Sequence, residues 1–114
     1  MTSVALVNAE QDRGVKMRYN TATLPSFTLW KNTDTLEDGY VTGLEPGTGF
    51  PSPRPLERQA GRVPSLPGGS DVSFELQIQV LQGKEAVDAA KAEVSSIQAG
   101  RPAHTNPQPV RTTG

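Results

Sequence analysis

Residues 71–80 alternate strictly between polar and apolar side chains. The apolar members of the alternation are Val72, Phe74, Leu76, Ile78 and Val80, and the intervening residues are Asp71, Ser73, Glu75, Gln77 and Gln79. A period of two is that of a β-strand with one face in the core and the other in water. The pattern therefore predicts a strand whose five apolar side chains are buried.

Four further segments carry the short apolar runs that predict strands. They are residues 4–7, 14–19, 26–30 and 40–45. In the third of them, Phe27 and Leu29 share one face of the strand, and Trp30 lies on the other. Residues 56–63 are charged and short, and we interpret them as an edge strand. Clusters of turn-forming residues separate these segments, which is typical of an antiparallel sheet or sandwich.

The period changes near the C-terminal end of the chain. Apolar side chains recur there at the three- and four-residue spacing of an amphipathic helix: Val87, Ala90, Val94 and Ile97. This stripe predicts a helix over residues 84–98, with Gly100 in a helix-terminating position and Pro102 blocking continuation. We therefore predict a mainly β fold, an antiparallel β-sandwich with one late α-helix, over residues 1–98. Residues 99–114 are polar and rich in turn formers, and we interpret them as a disordered tail.

Composition excludes several classes of function. The net charge is −1 and Lys and Arg form no run, so nucleic acid is not expected as a partner. No apolar stretch approaches the roughly 18 residues of a membrane span, so no membrane partner is expected. The chain has no cysteine, which excludes disulfides and thiol chemistry and favours the cytoplasm. The single histidine, His104, cannot form a metal site alone.

The content of glycine and proline points to a thin hydrophobic core. The 114 residues include 11 glycines and 10 prolines, which together exceed the average share of these residues. Short strands and many turns follow from such a composition, and a small domain buries too little surface to be very stable. Either the stability is low, or another chain completes the sandwich.

Glu45 is the candidate catalytic residue. It follows the apolar run that begins at Tyr40 and precedes a segment dense in proline and glycine, 46–55, which has few conformations to lose. Such a loop can hold a carboxylate at a fixed place beside a ligand, where it can act as a general base. A glutamate before a proline is also common as a solvated turn residue, and the sequence leaves both interpretations open.

Trp30, the only tryptophan, is a candidate for binding a sugar ring. Indole offers an apolar face for the CH groups of a sugar and an N–H that can donate a hydrogen bond. Lys31, Asn32 and Arg54 supply the donors and acceptors that sugar hydroxyls need. The alternatives are a core or interface role for Trp30 and an ordinary surface position for each of the three polar residues.

Two segments carry a resemblance to a known family. They are LPSFTLWKN at 24–32 and DGYVTGLEPGTGFP at 38–51. Both closely resemble the C-terminal part of aldose 1-epimerase (galactose mutarotase)-like proteins, and in particular a bacterial branch whose sugar specificity is poorly defined. The resemblance extends over about residues 1–98. It implies that this chain is a C-terminal fragment of a large antiparallel supersandwich of the galactose mutarotase type.

The resemblance also implies an activity in carbohydrate metabolism. Proteins of this family interconvert the α and β anomers of a sugar without a cofactor. A glutamate takes the proton from the C1 hydroxyl and a histidine protonates the ring oxygen. Glu45 matches the glutamate, and Trp30, Lys31, Asn32 and Arg54 are the expected substrate-binding residues.

The chain departs from the family pattern in one important respect. Family members are about twice as long or more, and their acid histidine and substrate-gripping arginine lie in a part that this sequence does not match. His104 matches neither residue. The sequence does not decide whether the chain is an enzyme, and we expect it to be inactive alone. The alternative is a carbohydrate- or partner-binding β-module that has lost the chemistry.

Overall fold

The computed structural model describes residues 1–108, which form five β-strands and two α-helices. In chain order they are β1 (Thr2–Val7), β2 (Arg13–Tyr19), β3 (Ser26–Lys31), β4 (Thr42–Gly47), α1 (Arg54–Gln59), β5 (Leu76–Gln82) and α2 (Lys84–Gln98). All strand pairs among them are antiparallel. The predicted mainly β, antiparallel class with a late helix is therefore confirmed.

The chain divides into two compact units. The first contains Met1–Thr21 and the segment that begins at Phe74, and the second contains Ala22–Ser73. The first unit holds a three-stranded sheet in the order β1-β2-β5 together with α2, and the second holds the β3-β4 pair and α1. No helix within residues 1–108 combines the length and the apolar character needed to cross a membrane.

The core of the first unit lies between its sheet and α2. Leu81, Val87 and Ala90 are almost fully buried there, and Ala5 and Val7 of β1 pack against them. The helix ends as predicted, because Gly100 follows Gln98 and Ala99 with a positive φ of 70°, a backbone conformation that glycine adopts without strain.

A partly buried ionic contact joins α2 to the same face of the sheet. Glu93 Oε2 accepts a hydrogen bond from Lys16 Nζ at 2.5 Å, and Glu93 Oε1 accepts one from Ser3 Oγ at 2.7 Å. Arg18 Nε lies 3.2 Å from Glu93 Oε1. Lys16 is the main reason that the pKa of the Glu93 carboxyl is lowered, with Ser3 contributing next. These contacts fix the orientation of α2 on the sheet.

The alternating segment forms a strand only from Leu76 onwards, and the expected burial of its apolar face was wrong. β5 begins at Leu76, because its partner β2 ends at Tyr19, which pairs with Leu76. The predicted core residues are exposed instead: Val72 by 50%, Phe74 by 48%, Leu76 by 44%, Ile78 by 65% and Val80 by 80%. The helix covers the other face of β5, where Leu81 is only 2% exposed.

The second unit corrects another expectation from the sequence. Residues 56–63, interpreted as an edge strand, lie largely in α1 and the turn that follows it. Pro53 accepts hydrogen bonds from the amides of Leu56 and Glu57, and Pro55 lies in the first turn of α1, where the missing N–H of proline costs nothing.

The structure describes only part of the predicted tail. Residues 99–108 contain a turn and neither helix nor strand, while the rest of the predicted tail, 109–114, lies outside the described residues. The boundary at residue 98 coincides with the end of α2. That 99–114 is disordered stays a prediction.

Candidate functional site

Glu45 and Trp30 lie on the same face of the β3-β4 pair. In the antiparallel register Thr28 is opposite Glu45, and Trp30 is opposite Gly43. Residues that face each other across an antiparallel pair project to the same side of the sheet. The carboxylate and the indole therefore share one surface, where Glu45 is exposed and Trp30 is half exposed.

The side chain of Glu45 folds back over Gly43. A β-carbon at position 43 would lie 3.0 Å from Glu45 Cδ and 3.3 Å from its Cγ, and closer still to Oε1. Because Gly43 has no side chain, the carboxylate can lie against the strand at the position directly across from Trp30. The geometry thus brings the predicted acid and the predicted aromatic platform together.

The other predicted binding residues lie in different surroundings. Lys31 is exposed, and by the alternation of β3 it projects to the side opposite Trp30. The side chain of Asn32 holds the loop before β4, because its Nδ2 donates to the Gly39 carbonyl at 3.1 Å and its Oδ1 accepts from the Asp34 amide at 3.0 Å. Whether Lys31 or Asn32 binds a ligand stays a prediction.

Arg54 lies at the start of α1, beside a cavity of about 370 Å³. The side chains that line the cavity include Thr48, Phe50, Ser52, Arg54, Glu57 and Arg62. The volume is within the roughly 300–1,000 Å³ that is common for small-molecule sites. The cavity therefore has the size of a ligand site. Its first lining residue in the sequence, Thr48, follows Glu45 by three positions.

The wall of this cavity contains an ion pair that the sequence did not reveal. Arg62 binds the carboxylate of Glu57 through two bonds, Nη2 to Oε1 at 2.6 Å and Nε to Oε2 at 2.9 Å. The Phe50 amide donates to Oε2 at 3.1 Å, and the Arg62 guanidinium lies 4.2 Å from the centre of the Phe50 ring. Glu57 is only 3% exposed, so this network fixes the loop after β4 against α1.

The ion pair changes the titration of Glu57. The hydrogen bonds from Arg62 are the main cause that lowers the pKa of the Glu57 carboxyl from 4.5 to about 2, and burial opposes them. A spacing of five residues between an acid and an arginine is too common to identify such a pair. Only the turn after α1, which returns Arg62 to Glu57, brings the two side chains together.

We expect the stability of the second unit to fall in acid because of Glu57. A carboxyl with a lowered pKa in the folded state stabilises the fold above its ordinary pKa of 4.5, and this contribution is lost as the pH falls towards about 2. Thermal unfolding monitored by Trp30 fluorescence should show a falling midpoint across that range. The Glu57→Gln variant should unfold at a lower temperature than the unaltered chain at neutral pH. Its unfolding midpoint should also change less between pH 4.5 and pH 2.

Glu37→Gln is a suitable control for this experiment, since Glu37 is exposed in the turn Leu36–Asp38. It should follow the acid profile of the unaltered chain. An unchanged midpoint in Glu57→Gln would contradict the stabilising role of the pair.

The part of the chain that the structure describes offers no candidate metal centre. Within residues 1–108, no three or more His, Cys, Asp or Glu side chains are grouped so that they could hold a metal ion. His104 is exposed. The candidate site therefore consists of the face that carries Glu45 and Trp30, with the cavity beside Arg54 next to it along the chain.

Comparison with protein families decides which family this sequence represents. Residues 1–80 match the model of a family described as a domain of unknown function, DUF4432, and this is more than half of the chain. The chain belongs to the DUF4432 family. No curated protein matches this DUF4432 chain.

One solved structure is similar to the DUF4432 chain along nearly its whole length. It is the crystal structure of a protein from Klebsiella pneumoniae subsp. pneumoniae MGH 78578 that is described as a "putative aldose 1-epimerase". The two sequences are 38% identical and the TM-score is 0.89. The match covers 95% of the DUF4432 chain and 28% of the Klebsiella chain, so this chain spans less than a third of that protein.

This likeness confirms the resemblance inferred from residues 24–32 and 38–51. The DUF4432 chain has the fold of a fragment of an aldose 1-epimerase-like, galactose mutarotase-like protein.

Proposed function

We propose that this chain is the sugar-binding part of an aldose 1-epimerase-like isomerase, with Glu45 as the general base. One observation carries the proposal: the Glu45 carboxylate lies over Gly43, directly across from the exposed indole of Trp30. A flat apolar ring beside a carboxylate suits a sugar, whose CH groups pack on indole while its hydroxyls bind the acid. The similarity to the Klebsiella protein supports an aldose as the ligand.

The proposed chemistry interconverts two anomers. Glu45 accepts the proton of the C1 hydroxyl, the bond between C1 and the ring oxygen breaks, and an acid donates a proton to that oxygen. Rotation about the C1–C2 bond presents the other side of the carbonyl carbon, and the reverse steps close the ring. No residue of this chain is proposed as the acid that protonates the ring oxygen, because nothing indicates that His104 lies beside Glu45.

The remaining residues of the proposed site have different proposed roles. Trp30 is proposed as the stacking platform, and Arg54 as a substrate-binding residue in the adjacent cavity. Lys31 and Asn32 remain proposed sugar-binding residues, although Lys31 projects to the side of β3 opposite Trp30 and the Asn32 side chain is hydrogen-bonded within its own loop. A cytoplasmic location is also part of the proposal, and the absence of cysteine is compatible with it.

A second candidate function is a carbohydrate- or partner-binding module without catalysis. The observation that favours it is the lack of a histidine other than His104. In this case Glu45 binds a sugar hydroxyl as a hydrogen-bond acceptor and transfers no proton.

We also propose that a second polypeptide covers the apolar face of the three-stranded sheet. Leu6, Ile78 and Val80 are exposed on that face by 42%, 65% and 80%. The proposed partner is a set of further sandwich strands like those of the Klebsiella protein, because the match leaves most of that protein uncovered. The segment of the Klebsiella protein outside the match is a usable probe, and binding should protect β5 amides from exchange. Unchanged exchange at saturating probe would contradict this partner.

We expect the chain alone to accelerate mutarotation little or not at all, because no acid is assigned opposite Glu45. Polarimetry of freshly dissolved glucose or galactose measures this rate. A clear acceleration that Glu45→Gln abolishes would show that the chain contains its own acid, and would overturn this expectation.

Gly43 is expected to position the Glu45 carboxylate, and Gly43→Ala tests this role. The added methyl group would meet Glu45 Cδ at 3.0 Å, so the carboxylate must rotate away from its place across from Trp30. We expect the sugar affinity, measured by Trp30 fluorescence, to fall roughly tenfold, the effect of one lost charged hydrogen bond. The fold should be little affected, because only a flexible side chain has to move.

Gly47→Ala provides the matched control in the same strand and on the same face. Its added methyl group would lie 3.7 Å from the nearest atom, the Gly49 carbonyl oxygen, which is an ordinary contact. Equal affinities in Gly43→Ala and Gly47→Ala would contradict the positioning role of Gly43.

A further inference from the structure

The cavity beside Arg54 has a distribution of charge that the proposed anomer chemistry does not explain. Its wall contains two arginines, Arg54 and Arg62, and one acid, Glu57. Arg62 and Glu57 neutralise each other through their two-bond contact, and both carboxylate oxygens accept hydrogen bonds. The positive charge of Arg54 is therefore left over.

Arg54 has no partner within residues 1–108. No hydrogen bond or ion pair among those residues engages its guanidinium, although it borders the cavity. A guanidinium offers five donors in a planar fork that fits carboxylate and phosphate groups. The hydroxyl of Thr48 lines the same space and adds a further hydrogen-bonding group, whereas the Ser52 side chain is hydrogen-bonded to Glu57.

The cavity is close to the proposed anomer site. Thr48, which lines it, follows Glu45 by three residues, so their Cα atoms are at most about 11 Å apart. Both parts belong to the same compact unit, Ala22–Ser73.

We propose that this cavity binds an anionic group at the end of the sugar remote from C1, and that Arg54 is the main residue that binds this group. The substrate class is thus an acidic aldose, such as one carrying a phosphate or a carboxylate. This inference rests on the proposed function, since it requires that the sugar ring lies on the face of Glu45 and Trp30.

The Glu57–Arg62 pair supports this assignment of an anion. An acid in the wall would repel a negative group if it were free, but Arg62 compensates its charge and holds it in place. The pair also fixes the loop that carries Thr48 through the Phe50 amide. The wall is thus held in place and carries a net positive charge, and an anion needs both features.

The test compares four compounds: D-glucose, D-glucose 6-phosphate, D-glucuronate and inorganic phosphate. Binding to the full 114-residue chain is measured by Trp30 fluorescence and by calorimetry. The two acidic sugars should bind about tenfold more tightly than glucose, the effect expected from one charged hydrogen-bonded contact. Inorganic phosphate should bind weakly, because it lacks the ring that contacts Trp30.

Two variants locate the charge that is responsible. Arg54→Gln should remove the preference for the acidic sugars, which should then bind no more tightly than glucose. Arg58→Gln is the matched control, because Arg58 is an exposed arginine of the same helix that does not line the cavity. The Arg58→Gln variant should keep the preference for acidic sugars over glucose.

The outcomes separate this inference from the function on which it rests. Binding of glucose without any gain from a phosphate or carboxylate would overturn the anion site and leave the sugar face intact. An equal loss of preference in Arg54→Gln and Arg58→Gln would overturn the role of Arg54 by showing a general charge effect. Failure of all three sugars to bind would overturn the proposed function and this inference together.

Discussion

In an assembly of this chain with the remaining strands of the sandwich, Glu45→Gln is expected to lower the rate of mutarotation about 100-fold or more. A positioned general base contributes roughly 10²–10⁴-fold to a rate, and glutamine cannot accept the proton of the C1 hydroxyl. The segment of the Klebsiella protein outside the match supplies the remaining strands, and polarimetry of glucose or galactose measures the rate.

The comparison of variants in this assembly also separates the two candidate functions. A restored mutarotation that Glu45→Gln removes supports the isomerase. An assembly that forms and binds sugar without any mutarotation supports the non-catalytic module. Glu37→Gln is a control with the same change in charge at an exposed turn, and it should retain the full rate.

Leu81→Ala is expected to lower the free energy of unfolding of the first unit by about 2–5 kcal/mol, the usual cost of truncating a buried leucine. Leu81 is 2% exposed and packs against Val87 and Ala90. Its neighbour Val80 is 80% exposed, so Val80→Ala should change the free energy by no more than about 0.5 kcal/mol. Urea unfolding monitored by the helical circular dichroism of α2 measures both values.

This pair of variants tests the orientation of β5 directly. The alternation of residues 71–80 predicts that Val80 is buried, whereas in the structure Leu81 is buried and Val80 is exposed. A large loss in Val80→Ala together with a small loss in Leu81→Ala would contradict the packing of Leu81 beneath α2.

The sequence predicted most of the elements because local patterns determine them. The stripe that includes Val87 and Val94 identified α2 with its observed bounds, and the alternation around Lys16 identified β2. The burial of β5 was not predictable in this way. An alternating pattern shows which side chains share a face, but the other elements decide which face is covered, and here α2 covers the face of Leu81.

For the candidate site, the sequence identified individual residues but not their arrangement. Glu45 and Trp30 were identified as separate candidates, but only the register of β3 and β4 shows that they share a face. The role of Gly43 and the pair Glu57–Arg62 were missed. Each depends on how a side chain folds back on its own segment, and no periodicity in the sequence encodes such a contact.

The most direct test of a sugar site on the β3-β4 face is a nuclear magnetic resonance titration of the ¹⁵N-labelled chain with an aldose. We predict that the largest shift changes occur at the Trp30 indole N–H and at the amides of Thr28, Gly43 and Glu45, and that Glu45→Gln weakens the binding. Unchanged signals at these four residues with saturating neutral and acidic aldoses, or changes confined to the three-stranded sheet, would contradict the proposal.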